Sequence, residues 1–352
     1  MEFITFFVGS YTQNLTPEIM GFGDGISTVQ LNNETGELKI LHITSTVNPS
    51  YLTLSDDNIF LYCNTEVAKE DVPKVQAYKI NKDFSLEFLN ERPIAGGYPC
   101  HIENFNKSIL VSCYETGNII QFPIDAFGKV MPSAKNHQHY GSSINKNRQE
   151  GPHAHQIAVN PVNKQLYACD LGIDIIKAYF FDEAEFVADG KNDIPVTKGG
   201  GPRHLVFNNS GTLAYVINEL SGNISILKKI DDKFVQISEL SSLPLSYTNV
   251  PSASAIRIHP NQQFLYAANR TLDAITIFRI HGEALEVIDY HYTKGKEIRE
   301  FNITPNGKWL IACHQNSHDT IVYLIKPDGK LTENYRTTEI KTPVCIKFLN
   351  NN

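Results

Sequence analysis

The chain has 352 residues, 41% hydrophobic and 20% charged, a composition that supports a water-soluble fold with ample core and argues against disorder. Its 31 Lys and Arg stand against 38 Asp and Glu, and the net charge of −7 excludes the broad basic surface that nucleic-acid binding requires. No apolar run approaches the ~20 residues of a membrane-crossing helix, and Glu2 stands where a secretory signal carries basic residues, so the start reads as mature structure of a cytoplasmic protein.

The first predicted elements are strands: TFFVGSYT from Thr5, ISTVQL from Ile26 and LKILHI from Leu38. From Asn48 the chain repeats itself. Each unit opens with an apolar strand, turns at an Asn/Gly/Pro cluster, continues with a Leu-Tyr-like strand and closes on an Ile/Val-rich alternating strand. Starts fall at Asn48, Gly97, Gly151, Gly201, Pro251, Glu297 and Thr342, 45 to 54 residues apart. The clearest copies are GPRHLVFNNSGTLAYVINELSGNISIL from Gly201, PSASAIRIHPNQQFLYAANRTLDAITIF from Pro251 and EIREFNITPNGKWLIACHQNSHDTIVYLI from Glu297. Between Ala134 and Glu150 a polar stretch rich in His, Asn and Ser lengthens one connection; it reads as a loop on one face, either shaping a binding mouth or simply solvated.

Seven starts at this period predict an all-β fold, a seven-bladed β-propeller spanning 1–352 as one domain. The last start has room for only one strand, TPVCIKFL. The three N-terminal strands supply the rest of that blade, so the ring closes by pairing the C-terminal inner strand with N-terminal strands, which hides the sheet edges. The six cysteines include no Cys-x-x-Cys pair. Cys63, Cys113, Cys169 and Cys313 share one repeat position, held elsewhere by Ile217 and Ala268, and read as small buried packing residues. Cys100 has no feature that would lower its pKa, so no nucleophilic role is assigned.

Function is sought where the repeat breaks. The first two strands of a blade form an antiparallel hairpin, so the beginning of one and the end of the other lie together. The opening position of the inner strand reads Ser50, Cys100, His155, Arg203, Ser254, Arg299 and Val344. The second strand ends on Asn64-Thr65, Tyr114-Glu115, Asp170-Leu171, Asn218-Glu219, Asn269-Arg270 and His314-Gln315. Blades three to six thus bring His155, Arg203, Glu219, Arg270, Arg299, His314 and Gln315 to one mouth, with His153 and His204 beside them. Three arginines there suit a small anion, because guanidinium binds carboxylate or phosphate bidentately. Each residue alone also reads as a solvated or salt-bridging surface group, and Glu219 as the neutraliser of Arg203 and Arg270. The His153-x-His155 pair lacks a third ligand of suitable spacing, so neither a metal nor another cofactor is assigned.

The strings GPHAHQIAVNP, GPRHLVFN, the Asn-Glu of VINEL, the Asn-Arg of AANR and IACHQNSH, in this order and period, resemble the lactonase family of seven-bladed propellers. The resemblance runs from Gly9 almost to the C-terminus. It implies opening of the δ-lactone of a phosphorylated sugar acid, of the 6-phosphogluconolactone type, within the pentose phosphate pathway, and it points to His155, Arg203, Glu219 and Arg270. The same superfamily includes carboxy-muconate lactonising enzymes, so a cycloisomerase stands as an alternative. A non-catalytic scaffold is the third reading. Trp309 is the single tryptophan and no Trp-Asp pair occurs, which weighs against a WD-type scaffold.

Lactone hydrolysis needs an activated water, stabilisation of the carbonyl oxyanion and a proton for the leaving ring oxygen. His155 and Glu219 compete for the role of base. His155 is preferred, because imidazole titrates near neutrality and a carboxylate among arginines is a weak base. Arg203 is then expected at the carbonyl oxygen, Arg270 with Arg299 at the anionic tail, and Glu219 orienting Arg203 or binding sugar hydroxyls. His153, His204, His314 and Gln315 are expected to line the substrate. Oligomeric state is not read from the sequence.

Overall fold

A computed structural model describes residues 2–349. Its strands form seven antiparallel sheets, six of four strands and one of five, each blade after the first turn of the repeat running from inner to outer strand in chain order. This is the strand order of a seven-bladed β-propeller, as the repeat predicts. Helix is confined among the described residues to two single turns, Lys69–Asp71 and Gly190–Asn192, and none is long and apolar enough to cross a membrane.

The fourth blade shows how sequence becomes strand. Its inner strand Pro202–Phe207 and second strand Leu213–Asn218 are joined at Asn208-Asn209-Ser210-Gly211-Thr212. The Asn208 side-chain oxygen accepts from the N–H groups of Thr212 and Leu213, both at 3.0 Å, and Gly211 takes φ 64°, a value that favours glycine. Ala214, Tyr215, Val216 and Ile217 are buried in succession, because both faces of a middle strand are covered. The outer strand Lys233–Ser241 is covered far less, and there polar residues dominate.

The seventh blade is closed as expected. Strand Pro343–Phe348 pairs antiparallel with Phe3–Ser10, matching Phe6 to Phe348 and Val8 to Ile346, and Ile26–Asn32 and Leu38–Thr44 complete the sheet. Phe6, Val8, Val29, Leu31, Ile346 and Phe348 share one apolar cluster with Trp309 and Ile311 of the sixth blade. All six cysteines are free and buried.

By compactness the chain forms two units. One holds Ser112–Ile119 with Lys135–Thr293, and the other holds the remaining described residues.

One regularity goes beyond the hydrophobic repeat. The register of the inner strand shifts between Pro49 and Leu52, Ala154 and Ile157, Pro202 and His204, Ala253 and Ile256, and Ile298 and Glu300. Each shift brackets the opening position: Ser50, His155, Arg203, Ser254 and Arg299. A bulge leaves a residue outside the ladder and re-aims its side chain, so these positions are freed from the alternation that dictates packing in the rest of the strand.

Candidate active site

Within the unit of blades three to five, the chemistry gathers around Glu219. This residue follows the second strand of blade four, where its N–H donates to the Gly201 carbonyl at 2.7 Å and its carbonyl accepts from Ala253 at 3.1 Å. Its backbone is therefore fixed from two blades, and the residue is only 5% exposed. Three guanidiniums meet its carboxylate. Arg148 Nη2 lies 2.6 Å from Oε1, while Arg203 Nε and Arg270 Nη2 lie 3.1 and 2.9 Å from Oε2.

Burial works to raise the Glu219 pKa, but Arg270, Arg148 and Arg203 outweigh it and hold the group down at about 2. Glu219 is thus an anion throughout the neutral range. Three arginines thus converge on one carboxylate in an acidic protein.

Arg203 stands in the bulge of blade four and is 4% exposed. Its Nη1 donates to the Ser254 carbonyl at 2.7 Å and to His204 Nε2 at 3.1 Å, which makes that imidazole nitrogen an acceptor. Arg270, at the end of blade five's second strand, donates from Nη2 to the Ala253 carbonyl at 3.3 Å and from its backbone N–H to Ser252 at 2.8 Å. His155, also on a bulge and 4% exposed, meets the His204 ring edge-on with centroids 5.2 Å apart. His155, His204, Arg203 and Glu219 therefore form one connected chain of side chains.

His153 and His155 converge on the same ring. His153 stacks on Tyr114 at 4.5 Å and 12°, and His155 meets it edge-on at 6.1 Å. His153 precedes its strand rather than lying in it. One ring nitrogen contacts the Tyr114 carbonyl at 2.8 Å and the other Glu150 at 3.1 Å, so both are engaged within the protein.

Arg299, His314 and Gln315 belong to the other unit. There Arg299 lies 3.8 Å from Glu66 and over the ring of Tyr11, whose hydroxyl donates to Glu66 at 3.0 Å. Tyr11 is completely buried, and its hydroxyl pKa is raised well above the ordinary value by that burial, with Arg299 opposing and Glu66 adding. His314 is buried with Nδ1 3.3 Å from the Asp319 carbonyl, and Gln315 donates from Nε2 to Asn316 at 3.1 Å.

Two residues of the Glu219 cluster escape sequence reading. Tyr114 stands at an aligned strand end but carries no charge to mark it, and its hydroxyl receives a hydrogen bond from Arg148 Nη2 at 3.0 Å. Arg148 lies in the stretch from Ala134 to Glu150, which has no counterpart in other blades and so no position to compare. That stretch is anchored rather than simply solvated. Gln149 is fully buried and donates to the Leu171 carbonyl at 2.9 Å and to Asp174 Oδ1 at 2.8 Å; Ser143 donates to Asp174 Oδ2 at 2.5 Å. His139 is buried between Asp170, at 2.6 Å, and the Tyr179 hydroxyl.

A buried carboxylate ringed by arginines, with the His155 imidazole joined to it through His204 and Arg203, can hold an anionic ester and hydrolyse it. Comparison with known proteins agrees with that chemistry. The family model described as lactonase, 7-bladed beta-propeller, matches residues 5–348. The 6-phosphogluconolactonase of Bacillus subtilis is 30% identical over 354 residues, covering 97% of each chain. That of Formosa agariphila is 32% identical over 328 residues, covering 90% of this chain and 91% of the relative. A crystal structure of a Bacteroides fragilis protein superposes with a TM-score of 0.92 at 30% identity, covering 99% of this chain and 98% of the other. The chain belongs to the lactonase family of seven-bladed β-propellers.

Proposed function

We propose that this lactonase hydrolyses the δ-lactone of a phosphorylated sugar acid, 6-phosphogluconolactone to 6-phosphogluconate, in the cytoplasm and as a step of the pentose phosphate pathway. The observation that carries the reading is the Glu219 cluster, a buried carboxylate on which three arginines converge. Arginines gathered in this way suit an anionic substrate, since guanidinium N–H groups bind carboxylate or phosphate oxygens. The names of the two curated relatives supply the substrate class. Six buried free thiols suit a reducing compartment.

In this reading His155 takes a proton from water, whose oxygen bonds to the lactone carbonyl carbon. Arg203 stabilises the resulting oxyanion. As the tetrahedral centre collapses, the ring C–O bond breaks and the imidazolium returns its proton to the ring oxygen, leaving a hydroxyl and a carboxylic acid that releases its own proton to solvent as the carboxylate forms. Glu219 is not the base, because a carboxylate held at about pKa 2 has little affinity for a proton at neutral pH. It fixes the Arg203 guanidinium instead, and Arg270 contributes to the anionic tail.

A pH-drop assay with δ-gluconolactone and its 6-phosphate, corrected for spontaneous opening, tests this reading. Wild-type protein is expected to accelerate opening, and Arg203→Ala to lose about 10²-fold or more, the cost of one oxyanion donor. No acceleration of either lactone would refute the hydrolase reading.

A further inference from the structure

Three arginines share Glu219, but they differ in what the rest of each guanidinium does. Arg203 is committed on its Nη1 side to the Ser254 carbonyl and His204. Arg270 is tied to the backbone of its own blade, through Ser252 and Ala253. Arg148 differs from both. A single nitrogen, Nη2, makes both of its side-chain hydrogen bonds, to Glu219 and to Tyr114. Among the described residues its Nε and Nη1 donate to no protein group, and the side chain is 43% exposed against 4% for Arg203 and 10% for Arg270.

We propose that Arg148 is a specificity-determining residue that reads the phosphate of the substrate through the Nε and Nη1 donors of its guanidinium. The proposal rests on the lactonase reading above and assigns the recognition of the charged tail within it. Phosphate oxygens accept strongly from guanidinium N–H groups, and Arg148 combines exposure with two donor nitrogens, Nε and Nη1, that its hydrogen bonds to Glu219 and Tyr114 leave unused. Nη2 is held by Glu219 and Tyr114, so the plane of the guanidinium is already oriented before substrate arrives.

The segment that carries Arg148 is also held in advance. Gln149, next in sequence, is fully buried between Leu171 and Asp174, and its side-chain oxygen accepts from Asn145 N–H at 3.1 Å. The Arg148 N–H itself donates to the Asn145 carbonyl at 3.2 Å. Little ordering of chain or side chain remains to oppose binding, which is the condition under which a single charge-assisted contact discriminates well. Depth sorts the remaining tasks. His155 and Arg203 are almost fully buried and suit the reacting carbonyl, whereas Arg148 lies toward solvent, where the far end of a bound lactone ends.

The test compares 6-phosphogluconolactone with δ-gluconolactone in wild type, Arg148→Ala and Arg148→Lys, with thermal melts confirming that the variants fold. The ratio of kcat/KM for the phosphorylated over the neutral lactone is expected to fall about 10- to 100-fold in Arg148→Ala, the worth of a hydrogen-bonded charge pair, whatever loss the two substrates share. Arg148→Lys should recover only part of it, because one ammonium cannot hold Glu219 and Tyr114 and also present oriented donors to phosphate. An unchanged ratio overturns the proposal and leaves Arg148 a structural partner of Glu219.

Calorimetric binding of 6-phosphogluconate provides an arm that needs no turnover. Wild type is expected to bind it about 10-fold or more tightly than Arg148→Ala does. Were wild type to open neither lactone, the hydrolase reading would fall while this binding comparison still decided the role of Arg148. Equal affinity in the two proteins, or no measurable binding to wild type, overturns the proposal.

Discussion

Arg148 Nη2 lies 2.6 Å from Glu219 Oε1, although the two residues are 71 positions apart and Arg148 sits in a stretch outside the repeat. The contact ties an inserted segment of irregular sequence to a carboxylate placed by the regular blade. It also completes a trio of arginines that holds Glu219 ionised, and the proposed reading gives the role of base to His155.

Replacing His155 by Ala should therefore lower turnover by about 10²-fold or more, with a smaller effect on substrate affinity. A pH-stat measurement of kcat and KM checks both; near-wild-type turnover in the variant would remove His155 from the role of base.

Glu219→Gln should destabilise the protein by about 3–5 kcal/mol at pH 7, since three buried or half-buried guanidiniums lose their shared anion. The pKa of Glu219 is lowered in the folded protein, from 4.5 to about 2, so its contribution is complete above pH 4.5. It is lost progressively as pH falls toward 2. Urea denaturation at pH 7, 5 and 3.5 should show the gap between wild type and variant narrowing at the acid end. A gap that widened on acidification would contradict the assigned charge state.

Asp174 is the clamp of the inserted stretch. Its two oxygens accept from Gln149 and Ser143 on one side and from the Gly201 and Gly199 N–H groups, at 2.8 and 2.6 Å, on the other. Asp174→Ala should free the stretch, exposing Lys146 and Arg148 to trypsin. Limited proteolysis with the cut site read by mass spectrometry checks this: cleavage between Ala134 and Glu150 is expected at least several times faster than in wild type.

The cysteines should be chemically silent in the native state. Burial pushes the thiols of Cys63, Cys113, Cys169 and Cys313 well above their ordinary pKa, and Cys100 and Cys345 are buried too. Titration with a thiol reagent at pH 8 should label essentially none in folded protein and all six after denaturation. Rapid labelling of a native thiol would show that one of these positions opens to solvent.

The sequence alone determined the seven-fold strand pattern, the terminal closure and the positions where polar residues interrupt the repeat. Those properties are local and periodic: an alternating or continuous apolar run is legible wherever it falls, and a charged residue stands out against six aligned copies. His155, Arg203, Glu219 and Arg270 were visible for that reason. The tertiary structure decided which of the marked residues meet and through which atoms. It placed Arg299 with Glu66 and Tyr11, engaged both ring nitrogens of His153, and revealed that the opening positions sit on bulges. It also supplied Arg148 and Tyr114. An insertion has no repeat partner to be compared with, and a bulge is a property of backbone pairing between strands, so neither leaves a periodic trace in the chain. The breaks in the repeat mark His155, Arg203, Glu219 and Arg270 in the sequence, and the long-range contacts of Glu219 join Arg203 and Arg270 to Arg148.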